Sequence, residues 1–364
     1  MCIRDSRFRA GRFRLAYQSC NDALPATGQY DFDRCASNGR AYARDPDVVA
    51  VLGSFNSVCA IALLPELNRA RGGPVPMISA LNSYVGLTRE ADQPGLLGEL
   101  YPTGKRSFAR IFPADDLQGA ALAEFAHRRG RERAFILEDD ATGYSDLVAD
   151  AFATVAERRG LEIAGRVRWD KRRDSYAGLA QRVKASGADA VLVSGLVISN
   201  AGQLVKDLRS RLGRRVDILA PDGLVATDLF DAAGASALGV YLTYHGLATN
   251  RLPPAGDRFL ERFARSQPGV EVAQYAVYAA QTAETLLDAI ARSDGTRASV
   301  LEHLLRTRDP QGLIGEVGFD ERGDIRESAE TIVRIVGGKR GTGIQSLSAV
   351  VVEDVIPVTP AMVE

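Results

Sequence analysis

Ser54, Phe55, Asn56 and Ser57 follow directly on an apolar run, Val48–Gly53, and open what reads as a helix. Small hydroxyl and amide side chains in that position suit one task. Asn56 or Ser57 can cap the helix, and the unpaired amides of its first turn then favour an anion such as a carboxylate. Leu81, Asn82, Ser83 and Tyr84 follow the next apolar run, Val75–Ser79, in the same manner. Two neighbouring clusters of this kind make a carboxylate cradle. Farther along, Pro221-Asp222-Gly223 ends another run with an acid in a tight turn. That acid can close an Asx turn on its own backbone, or it can pair with a ligand ammonium. Taken singly, each cluster is explained as well by a cap or a turn as by a ligand.

The elements that position these residues alternate. Short β-branched or aromatic runs are read as strands at Phe13–Tyr17, Val48–Gly53, Val75–Ser79, Ala134–Glu138, Ala190–Gly195, Val216–Pro221 and Gly239–Tyr244. Most are continuously apolar, as strands buried on both faces should be. Helical stripes lie between them. Tyr144–Arg159 is the clearest, with Leu147, Val148, Ala151, Phe152, Val155 and Ala156 on one face, and Gly187 closes the next helix. The alternation runs in two blocks, about 12–111 and 133–244, and predicts an α/β protein with parallel sheets. Beyond Tyr244 come helices near Ala255–Arg265, Gln274–Arg292 and Ala298–Arg306, then a strand near Glu316–Phe319. Two more strands, Thr331–Val336 and Leu347–Val352, are joined by the glycine-rich turn Gly337–Gly343. In open α/β sheets, ligands bind where strands end and helices begin, which is where the polar clusters stand.

Other chemistries lack their parts. No G-x-G-x-x-G follows a strand, so a dinucleotide fingerprint is missing. Gly98–Lys105 imitates a P-loop, but its glycine spacing is too long and Arg106 stands where Ser or Thr must meet magnesium. No G-x-S-x-G elbow occurs. The acidic cluster Glu138-Asp139-Asp140 reads as a solvated strand end. His127, His245 and His303 are far apart, so a histidine-built metal site is not expected. Basic and acidic residues nearly cancel, 45 against 46 over 364 residues, which argues against a nucleic-acid partner. Hydrophobic residues at 46% and charged ones at 25% suit a globular protein of about two domains. No apolar run approaches the ~20 residues of a membrane-spanning helix. Cys2, Cys20, Cys35 and Cys59 contain no C-x-x-C pair, and they read equally as buried thiols or as a disulfide framework in an exported protein.

Six segments in order resemble one family, the type I periplasmic solute-binding proteins of ABC importers, in the branch serving branched-chain amino acids. They are VVAVLGSFNSVCA (Val48–Ala60), VPMISALNSYVGLT (Val75–Thr88), YPTGKRSFARIFPADDLQGAALA (Tyr101–Ala123), AFILEDDATGYSDLVADAF (Ala134–Phe152), ADAVLVSG (Ala188–Gly195) and ILAPDGL (Ile218–Leu224). The resemblance implies two Rossmann-like α/β lobes joined by a three-strand hinge, with crossings near Pro113, Tyr244 and Glu327. Lobe 1 would hold 12–112 and 245–327, and lobe 2 would hold 113–244 and 328–364. It also implies a non-catalytic protein without cofactor or metal, monomeric and extracytoplasmic, that delivers a small ligand to the importer's membrane subunits. The same fold serves ligand-sensing receptors and amide-responsive regulators, which is the alternative.

By the same resemblance, Ser57 and Ser83 hold a ligand carboxylate with the backbone near Phe55 and Leu81, flanked by Asn56 and Asn82. Asp222 holds the ammonium and Tyr144 covers the ligand. Leu196 departs from the leucine/isoleucine/valine binders, which carry tyrosine there, so the ligand's side chain stays open: branched-chain, short amide, urea or aromatic acid. Relatives often carry one disulfide in the first lobe. Cys20 and Cys59 lie near the corresponding places, and Cys35 is an equally good partner. Residues 1–11 match nothing in the family. An export signal and the first strand and helix of lobe 1, roughly 35–45 residues by the size of a βα unit, are expected to be missing ahead of Arg12.

Overall fold

A computed structural model describes residues 3–24, 28–140, 143–270, 272–273, 275–337 and 349–364. The chain divides into two compact units. One holds the chain up to Phe112 together with Leu252–Glu327; the other holds Pro113–Arg251 and Ser328–Glu364. The second boundary therefore falls after Arg251, later than the Tyr244 expected from sequence, so His245 belongs with the strand that precedes it.

The unit beginning at Pro113 is built on a seven-stranded sheet. From one edge its order is Val350–Val358, Ser328–Ile335, Val240–His245, Asp217–Ala220, Ala190–Ser194, Arg133–Asp139 and Glu162–Trp169. The strands from Arg133 to His245 run parallel, and the two late ones add antiparallel, Ser328 opposite Val358 and Ile335 opposite Val350. Successive side chains point to opposite faces, and both faces are covered. Phe135, Leu137, Val191 and Val193 pack into one core, whereas Ile136, Leu192, Leu219 and Tyr241 pack into another. That double burial is why these strands read as unbroken apolar runs.

Glu162–Trp169 was not expected as a strand. It lies at the sheet edge and alternates Arg166 and Arg168 with more buried positions, and its Gly165 faces the ring of Phe135, where a Cβ would come within 2.5 Å. The helix expected at Tyr144–Arg159 spans Gly143–Arg158. The turn expected at Gly337–Gly343 and the start of the strand at Leu347 lie outside the described residues, as do Cys2 and Gln274.

The other unit holds a three-stranded parallel sheet, Val51–Leu52, Met77–Ser79 and Phe108–Arg110 in that order. Its core gathers Leu64, Leu67, Met77, Leu100 and Phe108. The expected strand at Phe13 is present as Phe13–Ser19, but it does not join this sheet. It pairs antiparallel with Ile3–Ala10, so the segment expected to be foreign to the fold forms a strand. Phe32–Arg44 packs on Ser57–Asn68, and the disulfide between Cys35 and Cys59 joins the two helices. Cys20 is not the partner of Cys59 and is not free. Near Glu316 the chain forms a hairpin of Arg308–Gly312 with Gly315–Gly318.

A buried ion pair ties distant parts of this unit together. Arg110, fully buried at the end of its strand, donates to Asp324 at 2.6 Å, to the Tyr84 carbonyl at 2.7 Å and to Thr88 at 2.8 Å. Thr88 in turn donates to Asp324 at 3.0 Å. The polar loop after Ser79 is thus anchored at its far side by residues whose role was not apparent from sequence.

Candidate functional site

In the unit that opens the chain, the clusters 54–57 and 81–84 are bonded to each other. The Ser54 carbonyl accepts from Ser79 Oγ at 3.0 Å and from Asn82 Nδ2 at 3.2 Å. Ser79 Oγ accepts from the Leu81 and Asn82 amides at 3.1 and 3.0 Å, which turns the chain sharply after its strand. Ser57 Oγ accepts from the Tyr84 amide at 3.2 Å, and that bond leaves the hydroxyl proton available as a donor.

Of the two candidate caps, Asn56 is the one used: its Oδ1 accepts from the Cys59 amide at 2.9 Å. Asn56 is therefore engaged by its own helix. Asn82 is fully buried and braces the loop. Phe55 is 68% exposed, and Leu81 and Ser83 are half-buried. The arrangement offers hydroxyls at the mouth of a helix start, and such a place suits a carboxylate.

In the second unit, Tyr144, Leu196 and Asp222 converge. Tyr144, at the start of its helix, donates its phenol hydrogen to Asp222 Oδ1 at 2.8 Å and accepts from the Gly223 amide at 3.3 Å. Burial, reinforced by the charges of Asp222 and Asp115, pushes the phenol well above its ordinary value, so it stays a neutral donor. Leu196 follows its strand, with its amide on Asp139 Oδ2 at 3.2 Å. Gly223 lets the backbones close in: a Cβ there would stand 2.7 Å from the Gly195 carbonyl and 2.9 Å from the Leu196 side chain.

The acidic cluster expected to be solvated is largely buried. Asp139 is fully buried and holds the Leu196 turn, also accepting from Ser199 at 2.8 Å. Glu138 pairs with Arg166 at 2.7 Å, and only Asp140 is exposed.

Five residues of this cluster, Asp115, Gln118, Thr243, His245 and Glu330, are not among the site residues expected from sequence. Gln118 Oε1 accepts from the Asp222 amide at 2.8 Å and from Thr243 at 2.6 Å, while its Nε2 donates to Tyr144 at 3.2 Å. His245 is fully buried, with Nδ1 2.7 Å from Glu330 and Nε2 3.6 Å from Asp115 and 3.8 Å from Asp222. Burial by itself would push this imidazole down. The carboxylates of Glu330 and Asp222, with the hydrogen bond to Glu330 and the nearby Asp115, outweigh burial and hold it well above its ordinary value. Glu330, Asp115 and Asp222 thus surround a single imidazole; burial pushes the Glu330 carboxyl up, so Asp115 and Asp222 are the acids left to attract a further cation. The placement is visible in the sequence: His245 ends its strand, as Ser54 and Asp222 follow theirs. The described residues bring together one possible metal cluster, Asp22 with Cys35 and Cys59, and its two sulfurs are joined in the disulfide.

The sequence profile of the periplasmic binding protein family matches residues 24–340. No curated protein matches the sequence. Among solved structures, a leucine binding protein from Thermotoga maritima is 23% identical over 91% of this chain and 85% of its own, with a TM-score of 0.66. An ABC transporter substrate-binding protein from Desulfitobacterium hafniense in complex with leucine is 22% identical over 85% of this chain and 84% of its own, at 0.67. A solute binding protein from Rhodopseudomonas palustris in complex with p-hydroxybenzoic acid is 18% identical over 90% and 83%, at 0.64.

Proposed function

Because this chain belongs to the periplasmic binding protein family, we propose that it is a non-catalytic, extracytoplasmic solute-binding protein that carries an amino acid or a closely related small amide to the membrane subunits of an ABC importer. The observation that carries the ligand class is the acidic surplus around Asp222. Burial pushes Glu330 up, and the two remaining acids, Asp222 and Asp115, beside one imidazole favour a ligand that brings a positive charge. Asp222 Oδ1 is engaged by Tyr144 and Oδ2 faces His245 at 3.8 Å, so the carboxylate is held in a fixed orientation for an ammonium. In this reading Ser57, Ser83 and the amides near Phe55 and Leu81 take the ligand carboxylate, and Leu196 contributes an apolar wall.

Two of the similar structures hold leucine and p-hydroxybenzoic acid, and these ligands differ in the ammonium. Calorimetry with leucine, isoleucine, short amides and p-hydroxybenzoate separates the two classes. An amino acid is expected to bind and the aromatic acid is not. Asp222→Ala is expected to weaken amino-acid binding by about 3–5 kcal/mol, because a buried ammonium loses its counter-charge. Ser57→Ala is expected to cost less, about 1–3 kcal/mol for one charged hydrogen bond. Equal affinity of the wild-type and Asp222→Ala chains for the amino acid refutes the assignment.

A further inference from the structure

The sheet of the second unit has another end. Asp222 follows the strand Asp217–Ala220 and His245 ends the strand Val240–His245; at the amino ends of the same two strands a cavity of about 640 Å³ opens. Arg129, Arg131, Arg209, Arg214, Arg215 and Arg334 line it. Arg129 and Arg131 share one acid, Asp217, each at 2.7 Å, and Arg334 pairs with Glu353 at 2.6 Å. Among the described residues, these six guanidiniums pair with two carboxylates, Asp217 and Glu353, an excess of four positive charges.

These arginines are held in place. Arg209 donates to the carbonyls of Gly213, Val216 and Gly239 at 3.0–3.2 Å, while its buried Nε makes no hydrogen bond. Arg214 donates to the carbonyls of Leu238 and Ala235 at 2.6 and 3.2 Å. The Arg129 guanidinium lies 4.7 Å over the Tyr241 ring. Carbonyls orient a guanidinium without neutralising it, so its charge stays available. The consequence is visible at Arg209, which burial, and then the charge of Arg214, push down to about 10.

We propose that this pocket is a binding site for a phosphate-bearing anion. A multivalent anion fits better than a lone carboxylate. Several guanidiniums line one cavity, guanidinium suits phosphate oxygens, and the excess charge exceeds what one carboxylate can match. The same chemistry is offered by free pyrophosphate and by phosphatidic acid, whose phosphate monoester also carries more than one negative charge.

Titration calorimetry of the full chain with inorganic pyrophosphate at low ionic strength, and co-sedimentation with vesicles containing phosphatidic acid against phosphatidylcholine vesicles, distinguish the two sources. Binding in either arm is expected, weakening as salt is raised, and whichever arm is positive names the source. Arg214→Glu/Arg215→Glu alters two exposed positions and is expected to lower the affinity at least tenfold. Arg215→Glu alone is expected to lower it severalfold and serves if the double variant does not fold, because Arg215 makes no hydrogen bond among the described residues. Asp222→Ala is expected to leave this binding unchanged, which separates the result from the amino-acid reading. No binding in either arm, or binding unaltered in the charge-reversed chains, overturns the proposal.

Discussion

Asp222 owes its fixed setting to its neighbours. A carboxylate in a turn is ordinary, but this one has its amide on Gln118, one oxygen on Tyr144 and the other toward His245. Gly223 makes that density possible. Gly223→Ala would push a methyl group against the Gly195 carbonyl, a backbone atom that cannot rotate away. We expect a loss of about 1–3 kcal/mol in stability, the usual range for overpacking. A lower thermal midpoint, with ligand affinity reduced as well, is the readout; an unchanged midpoint contradicts the close approach. At this scale the sequence was half legible. Ser57, Tyr144 and Asp222 announce themselves by standing just after apolar runs. Gln118 and Glu330 do not, because their roles come from strands and helices brought together from far along the chain.

At the scale of elements, the loop bearing Ser83 depends on a pair it does not contain. Arg110 sits at the end of Phe108–Arg110 and Asp324 on a segment that returns much later, yet between them they fix Tyr84 and Thr88. Arg110→Ala leaves Asp324 buried with only the longer contact from Arg89, at 3.6 Å, as counter-charge. We expect it to destabilise the first unit by about 3–5 kcal/mol. A denaturant midpoint within error of the wild type would contradict this. Alternating apolar runs made most of the strands and helices legible, since burial on both faces leaves a continuous signature. The strand Glu162–Trp169 was hidden because an edge position tolerates Arg166 and Arg168, and the pairing of Phe13–Ser19 with Ile3–Ala10 because antiparallel partners carry no periodic mark of each other.

At the scale of the whole molecule the two units answer pH in opposite directions. Burial would raise Asp324, but Arg110, Arg89 and Thr88 outweigh it and hold the carboxyl below its usual 3.8. Its contribution is therefore complete above that value and is lost as pH falls through the folded one. His245 is held above its usual 6.5, so its contribution is complete below that value and is lost as pH rises through the folded one. Thermal unfolding followed across pH is expected to show acid weakening in the unit containing Asp324 and alkaline weakening in the unit containing His245. Arg110→Ala should abolish the first response and His245→Gln the second. The same slope in the variants and the wild type rejects the assignment of each response.

The order of the seven-stranded sheet has a consequence for how the protein is made. Val240–His245 is an inner strand, but the neighbour that covers its open side, Ser328–Ile335, leaves the ribosome only after the whole returning segment Leu252–Glu327 has been synthesised. Until then that row of amides and carbonyls has no partner, and His245 lacks Glu330. The cluster around Asp222 is therefore completed late. If Asp222 holds the solute as proposed, a nascent chain cannot trap it early, and binding competence marks a translation product that has been finished and folded.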